Sequence, residues 1–373
     1  MKTSMNDLVS IYDRAESLAL GNLPNRAIQA FSPAAFAEYG YPFKVRHTSE
    51  LWRYVDVMHE GRFERNLLLL KETTNEEIAL AKWAAEGIHS YALSMFSRHF
   101  SGRNCVTRAI HQLRGICALS AAQRLAVLEL GPGSGCLTLL LSKVGHSVDT
   151  VEASQAFALH QAELFNFVLA DKFTRFDQAT EFQTDTDSFA AGHIRQMPWW
   201  NFASDQSAIG RYDVVTANHA FAEFHEDALH YVLRRFGPDH KHLYGETPII
   251  IAEGLGRSFQ PYPNVLQQFN ESGWVYTVNK TFYTFMYDPL GAKYQLLDEL
   301  SRARYERSWR RKLKRRTYLL LQAMKKTGFK KPKSSEHDSI SRLRDIFNKE
   351  VPDEIIPDER FLISPTRLKR HDY

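Results

Sequence analysis

A glycine-rich turn between an apolar segment and a helix-like segment constrains the fold of this chain more than any other feature. Leu125–Leu128 form a short apolar run, typical of a parallel strand that is covered on both faces, and Glu129 follows. The turn itself contains Gly131, Pro132, Gly133, Ser134 and Gly135. Glycines at alternate positions permit positive φ angles and close approach of a ligand, and the N–H groups at the start of the next helix point toward that ligand. The turn therefore predicts a nucleotide-binding cradle.

The spacing of the glycines and two acids narrows the class of nucleotide. A dinucleotide site is typified by G-x-G-x-x-G, whereas this turn has G-x-G-x-G with Glu129 ahead of it. A second acid, Glu152, ends the apolar strand predicted for Ser147–Val151, where a carboxylate can accept both hydroxyls of a ribose. The alternative is an ordinary α/β turn with surface acids. The spacing therefore differs from that of a dinucleotide site.

This turn, with the acid in front of it, resembles motif I of the class I S-adenosylmethionine-dependent methyltransferases. S-adenosylmethionine carries an α-ammonium and a sulfonium, which favour nearby acids. The resemblance implies that Glu129 holds the amino-acid end of the cofactor through backbone or water. Trp199, in the unusual MPWW sequence at a strand exit, is assigned equally to the cofactor or acceptor site and to core packing. The predicted cofactor-binding residues are Glu129, Gly131, Pro132, Gly133, Gly135, Glu152, Ala153, Trp199 and Asn218.

Later apolar segments extend the predicted sheet. YDVVTA (Tyr212–Ala217) and the run around Ile249–Ile251 are typical of further buried strands, and Glu253 falls at the end of the latter. Two β-rich runs, Trp274–Val278 and Phe282–Tyr287, are joined so closely that they must pair antiparallel. The resemblance implies an α/β fold, with a Rossmann-like sheet of seven strands, one of them reversed, and helices on both faces.

The segment NHAFAEFHEDALHYVLRRF, directly after YDVVTA, supplies the candidate catalytic residues. Its position resembles motif IV of the same superfamily, which faces the transferred methyl group. Attack by a neutral hydroxyl requires removal of its proton, and histidine has a suitable pKa near neutral pH. His219 is therefore predicted to be the general base, with Glu223 or His225 as orienting partner or alternate base.

Two other interpretations of this segment remain open. His219 and Glu223 are four positions apart, so on a helix they would share a face and could hold a divalent metal with His225. The sequence contains no Asp-Asp pair of the kind that metal-dependent sugar methyltransferases often use, which counts against a metal. The same residues could also be the solvated end of an ordinary helix.

The resemblance becomes narrower over residues 105–290. The blocks GPGSG, EASQAFALHQAELF, MPWW and DVVTANHAFAEF are similar to bacterial sugar O-methyltransferases that modify surface polysaccharides and glycolipids. This implies transfer of a methyl group to a hydroxyl of a sugar or glycan. An RNA or other non-sugar acceptor, or a non-catalytic module that binds S-adenosylmethionine, are the alternatives.

The chain is predicted to divide into three regions. Residues 1–120 form a helical N-terminal cap that includes an aromatic-rich segment, residues 121–290 form the methyltransferase domain, and residues 291–373 form a basic helical extension. Fourteen Lys and Arg residues lie between Arg302 and Lys333, against Glu306 alone, although the whole chain has a net charge of only +4. A basic amphipathic helix there could contact an anionic membrane surface, hold an acidic glycan or nucleic acid, or be a solvated helix. Of these partners, nucleic acid is disfavoured because the rest of the chain is acidic.

Composition limits the remaining possibilities. No stretch approaches eighteen consecutive apolar residues, and the N-terminal residues lack a basic start, an apolar run and a cleavage site. The three cysteines, Cys105, Cys117 and Cys136, are too few and too scattered for a disulfide framework or a zinc site. The expectation is a cytoplasmic protein, with peripheral attachment to the inner face of the membrane as one role for the basic extension.

Overall fold

The computed structural model describes most of the chain up to residue 298 and one later segment. The described residues are 5–31, 44–55, 63–70, 73–119, 124–179, 190–204, 212–221, 223–237, 248–255, 262–279, 281–298 and 340–347. The predicted basic helix over residues 302–333 and the predicted irregular tail after it lie outside these ranges, as do most residues of the aromatic-rich N-terminal segment. The division into three regions therefore stays a prediction.

A mixed sheet of eight strands forms the centre of the molecule. The strands are β1 (Ala126–Leu130), β2 (Ser147–Glu152), β3 (Phe173–Thr174), β4 (Ile194–Pro198), β5 (Val214–Thr216), β6 (Ile249–Glu253), β7 (Trp274–Asn279) and β8 (Phe282–Tyr287). Their order across the sheet is β3-β4-β2-β1-β5-β6-β8-β7. The first six are parallel, while β8 runs antiparallel to both β6 and β7. The predicted antiparallel pair and the reversed strand are confirmed.

The predicted number of seven strands is wrong by one, because β3 adds a short edge strand beside β4. Its two residues pair in parallel with Ile194 and Arg195. The Phe173 ring packs edge-on against Phe165, with the ring centroids 5.5 Å apart. Two residues are too few to show any hydrophobic periodicity, so this strand depends on the proximity of the β4 edge rather than on a local signal.

Helices cover both faces of the sheet. They are α1 (Met5–Leu20), α2 (Asn25–Phe31), α3 (Phe63–Leu67), α4 (Asn75–Phe96), α5 (Arg103–Cys117), α6 (Cys136–Lys143), α7 (Gln155–Leu169), α8 (Trp199–Ala203), α9 (Glu226–Phe236) and α10 (Tyr262–Glu271), and residues 289–298 and 340–347 are also helical. The long helices α4 and α5 lie within the region predicted to be helical at the N-terminus. Ser154 caps α7, since its side chain accepts from the N–H of Phe157.

Neighbouring residues of one strand pack into two different hydrophobic cores. Val127 of β1 belongs to a core shared with α4, α5 and α6, whereas Leu128 belongs to a core shared with α1, α8 and α9. Both side chains are fully buried. Because successive side chains point to opposite faces of a strand, the central strands are buried on both faces and are rich in apolar residues. The parallel sheet therefore lies between two helical layers, and its carboxyl edge is the open end where ligands bind in such folds.

The described helices include none with the length and apolar character needed to span a membrane.

Candidate active site

The glycine-rich turn leaves β1 with the backbone conformation that its sequence predicts. Gly131, Gly133 and Gly135 have φ angles of 67°, 57° and 75°. A Cβ at Gly131 would lie 3.0 Å from the Cβ of Ala220, and a Cβ at Gly135 would lie 2.8 Å from the Phe165 ring. The glycines thus allow the turn to approach the segment that follows β5 on one side and α7 on the other.

Two carboxyls predicted to bind the cofactor flank this turn. Glu129 is buried within β1 and accepts a hydrogen bond from the Thr138 hydroxyl at 2.6 Å. Glu152 ends β2 and accepts from the backbone N–H groups of Ser154, at 3.0 Å, and Gly133, at 3.3 Å. The Gly133 contact connects the acid at the end of β2 directly to the glycine turn after β1. Their meeting follows from the adjacent, parallel placement of the two strands.

A third carboxyl, Glu223, belongs to the same electrostatic group. Burial raises the pKa of Glu129 to about 7 in spite of the Thr138 hydrogen bond, and the charge of Glu152 adds to the rise. Burial also raises the pKa of Glu152 to about 7, although its backbone hydrogen bonds favour ionisation. Burial, and then the charge of Glu152, raise the pKa of Glu223 to about 7. Among the described residues no Lys or Arg forms an ion pair with any of the three. The group is complementary to a cation.

The other predicted cofactor residues occupy different positions around this group. The N–H of Ala153 favours the ionised form of Glu152. Asn218 joins β5 to β6, because its amide donates to Thr216 and accepts from the N–H of Glu253, both at 2.9 Å. The Pro132 carbonyl accepts from the N–H of Gly135 at 3.0 Å. These residues shape the backbone of the site.

Trp199 lies under α1, which crosses the carboxyl ends of β2 and β4. Its side chain is fully buried, and its indole N–H donates to Glu16 at 2.9 Å. Asp13, on the same helix, accepts from Gln155 at 2.7 Å, and Lys44 contacts both acids, at 3.3 Å from Asp13 and 3.0 Å from Glu16. Of the two roles that the sequence leaves open for Trp199, this placement favours packing.

The segment after β5 is a turn rather than the start of a helix. Residues 218–221 and 223–224 form turns and a bend, and α9 begins only at Glu226. The predicted helical face shared by His219 and Glu223 is therefore wrong. His225 caps α9 by accepting from the N–H of Asp227 at 3.2 Å. No group of three metal-ligating side chains occurs in the part of the chain that the structure describes.

His219 occupies a constrained position in this turn. Its φ angle is 60°, a left-handed conformation that is uncommon for residues other than glycine. Its N–H donates to the Glu253 carbonyl at 2.8 Å, and its ring fills the space above Gly254, where a Cβ would lie 2.3 Å from the ring Cε1. Such outliers need support from the surrounding structure and concentrate at functional sites.

The ring of His219 contacts an ion pair that sequence reasoning missed. Arg108 places Nη2 at 3.0 Å from the His219 Nε2, and its Nε lies 2.7 Å from Oε2 of Glu253. The same Glu253 oxygen is 3.7 Å from His219 Nε2. The sequence predicts Glu253 as an acid at the end of a strand. It does not predict that several of the groups around this acid belong to a helix that precedes the predicted catalytic domain.

Helix α5 supplies those partners. Arg108, His111 and Gln112 recur at the three- and four-residue spacing that places side chains on one helix face. His111 Nε2 lies 3.3 Å from Glu253 Oε1, and Gln112 donates to Oε2 at 3.1 Å. Polar residues at helical spacing within an otherwise buried helix were the available signal.

Hydrogen bonds keep the fully buried Glu253 ionised. Burial opposes ionisation, but the hydrogen bond from His111, the nearby His219 ring and the charge of Arg108 outweigh it and hold the pKa of Glu253 well below its usual range. The Thr281 hydroxyl, between β7 and β8, adds a further hydrogen bond at 3.1 Å. The site thus has two parts. One is the set of three carboxyls around the glycine turn, and the other is the polar network around Glu253. The turn that contains His219 lies between them.

No family model and no curated protein sequence matches this chain. Solved structures to which this chain is similar include several methyltransferases. A TehB-like enzyme of Corynebacterium glutamicum is 15% identical, with 47% of this chain and 86% of that chain covered and a TM-score of 0.32. The ribosomal protein L11 methylase of Lactobacillus delbrueckii is 15% identical, with 50% and 81% covered and a TM-score of 0.29.

The magnesium protoporphyrin IX methyltransferase of Synechocystis, solved with bound S-adenosylmethionine, is 12% identical, with 64% of this chain and 94% of that chain covered and a TM-score of 0.31. These scores lie below 0.5, so the functional argument rests on the residues of the site.

Proposed function

We propose that this protein is an S-adenosylmethionine-dependent O-methyltransferase that acts on a hydroxyl of a sugar or glycan. The observation that carries the proposal is a group of three carboxyls, the buried Glu129 and Glu152 and the half-buried Glu223, around a turn with three glycines at positive φ. A phosphate-bearing dinucleotide would be repelled by such a group, whereas a cationic nucleoside would be attracted by it.

The residues present fit S-adenosylmethionine. Glu152, at the end of β2, is placed to accept the ribose hydroxyls, and Glu129 and Glu223 supply negative charge for the ammonium and the sulfonium. When bound, the cofactor supplies a methyl group whose bond to sulfur breaks as its bond to the acceptor oxygen forms. Positioning and charge complementarity are the contributions of the protein at this end of the site.

The other requirement is removal of the acceptor's proton, and His219 and Glu223 are the candidates. His219 is held between the glycine turn and Glu253, and its side chain keeps 28% of its surface exposed. An acceptor hydroxyl that donates to Nε2 would take the place of the Arg108 Nη2, while Arg108 stays paired with Glu253. Glu223, whose pKa of about 7 suits proton transfer near neutral pH, is the alternate base. His225 is assigned to the cap of α9 and is the weakest of the three candidates.

The choice of acceptor is supported by the sequence blocks around the site. GPGSG, MPWW and DVVTANHAFAEF are similar to bacterial sugar O-methyltransferases, and the last two of these blocks lead into α8 and the His219 turn. Incubation with S-adenosylmethionine and fractionated cell-surface glycans, followed by mass spectrometry, should find a mass increase of one methylene in a glycan. Methylation of an RNA fraction instead would replace the sugar acceptor and keep the cofactor assignment.

Calorimetry tests the cofactor without any acceptor. The parent protein should bind S-adenosylmethionine, and Glu152→Gln should weaken binding at least tenfold, about 1.4 kcal/mol, because it removes the charge and one acceptor oxygen. Glu163→Gln, which alters a partly buried glutamate elsewhere on α7, should bind as the parent does. Absence of binding heat in the parent, or equal affinity in Glu152→Gln, would refute the proposal.

A further inference from the structure

The contacts around His219 place two opposite charges against the same ring nitrogen. Nη2 of Arg108 lies 3.0 Å from Nε2, and Oε2 of Glu253 lies 3.7 Å from it. Arg108 and Glu253 are themselves paired at 2.7 Å. A histidine at a strand end therefore meets a cation from α5 and an anion from β6, and neither belongs to its own segment.

Donor and acceptor chemistry then determines the tautomer of the neutral ring. A guanidinium only donates hydrogen bonds, so the 3.0 Å contact requires an unprotonated Nε2, and the proton of the neutral ring is on Nδ1. Protonation of Nε2 would place two cations side by side, which Arg108 disfavours. Glu253 has the opposite effect, because it attracts an imidazolium across 3.7 Å.

We propose that Arg108 and Glu253 are positioning residues that fix the ring of His219 and hold its neutral form with the proton on Nδ1. The other titratable groups near this ring act through the pair or from the same turn: His111 of α5 is 3.3 Å from Glu253, and Glu223 follows His219 in its turn. Arg108 keeps the Nε2 lone pair available until a hydroxyl replaces it, and Glu253 stabilises the charge once the proton has been accepted. The importance of this pair for catalysis rests on the proposed function.

Histidine ring NMR tests the inference on the whole protein without cofactor or acceptor. With ¹³C-labelled histidine, His219→Gln identifies the resonance of His219, and its ring carbon shifts, which report the nitrogen that carries the proton, are compared between variants. Arg108→Met should move the proton of the neutral ring from Nδ1 to Nε2, because the donor at Nε2 is removed and Glu253 remains to accept. Glu253→Gln should leave the proton on Nδ1, because Arg108 still donates to Nε2.

Two further variants separate electrostatics from loosening of the fold. Arg108→Lys retains a group that only donates hydrogen bonds and should keep the tautomer of the parent. Arg195→Met breaks a different buried ion pair, with Asp149 toward the other end of β2, and should leave the tautomer unchanged. A His219 proton that stays on Nδ1 in Arg108→Met, or that moves equally in Arg195→Met, would overturn the inference. Since the measurement involves no S-adenosylmethionine, either result is independent of the calorimetric test of function.

Discussion

Gly254 shows how a residue without a side chain positions one that has a proposed chemical role. It follows β6 with a φ angle of 63°, and the ring of His219 occupies the space that its Cβ would need. Sequence inspection finds a glycine after an acid at a strand end, but the ring that covers it is thirty-five residues earlier in the chain. A glycine is therefore needed here both for the positive φ angle and for the space that the distant His219 ring occupies.

Gly254→Ala should lower both stability and turnover. A left-handed alanine costs about 1 to 2 kcal/mol, and its Cβ, 2.5 Å from His219 Nδ1, must displace the ring. Gly145→Ala is the matched control, because Gly145 also has positive φ, 97°, with nothing within 4 Å of a Cβ. Thermal unfolding should show a loss in both variants, whereas the His219 resonance and methyl transfer should change only in Gly254→Ala. Parent-like turnover in Gly254→Ala would separate the ring position from catalysis.

At the scale of elements, α5 and α1 carry functions that their place in the chain does not suggest. Both lie within the region predicted to be an N-terminal cap. Helix α5 nevertheless supplies partners of Glu253. Helix α1 is hydrogen-bonded through Glu16 to Trp199, which directly follows β4. The periodicity of α5 predicts a helix, and its polar triplet predicts a polar face. Only the packing of α5 against β6 identifies the group that this face contacts.

Trp199→Phe tests how much the hydrogen bond between Trp199 and Glu16 of α1 contributes to stability. The change keeps an aromatic ring in a fully buried position but removes the N–H that donates to Glu16, and the loss of a buried hydrogen bond to a charged group costs about 1.5 to 3 kcal/mol. Denaturant unfolding should show this loss, while calorimetry should find an affinity for S-adenosylmethionine within twofold of the parent. A large loss of affinity with unchanged stability would instead return Trp199 to the cofactor site.

Across the whole molecule, the site combines neutral and ionised acids within one sheet edge. Glu129, Glu152 and Glu223 have pKa values raised to about 7, whereas the pKa of Glu253 is lowered. Burial is the largest cause of the rise for these three carboxyls, and the charge of Glu152 adds to it for Glu129 and Glu223. Glu253 is also buried, but it lies beside an arginine and two histidines, which outweigh the effect of burial. The proposed function assigns Glu253 to the acceptor side and the other three to the cofactor.

The stability of the unliganded protein should therefore depend on pH in a particular direction. A carboxyl whose pKa rises from 4.5 to about 7 on folding binds its proton more tightly in the folded state. Its contribution to stability is complete below pH 4.5 and is lost as the pH rises through about 7. A cationic ligand favours the ionised carboxyls, so S-adenosylmethionine should bind more tightly at pH 8 than at pH 6.

Thermal unfolding with and without ligand measures this linkage. The increase in Tm produced by S-adenosylmethionine should be larger at pH 8 than at pH 6. S-adenosylhomocysteine, which lacks the sulfonium charge, is the control and should show a weaker dependence. An equal increase at both pH values would show that the three carboxyls do not meet the positive charge of the ligand.

By itself, the sequence determined the elements whose signals are local. The apolar runs of β1, β2 and β6, the glycine turn, the cap at Ser154 and the late antiparallel pair are recognisable because each depends on neighbouring residues. The acids at the ends of β1 and β2 are predictable for the same reason, since parallel strands bring their carboxyl ends to one edge.

The tertiary structure decided what depends on distant partners. The two-residue strand β3 exists because the chain passes the edge of β4, and the segment after β5 forms a turn because His219 is held by Glu253 and Gly254. Arg108 reaches His219 across 111 positions of sequence. Helical spacing can predict that Arg108 lies on a polar face, but it does not identify the partner, because complementary charge and shape select the partner only after the sheet and its helices have assembled.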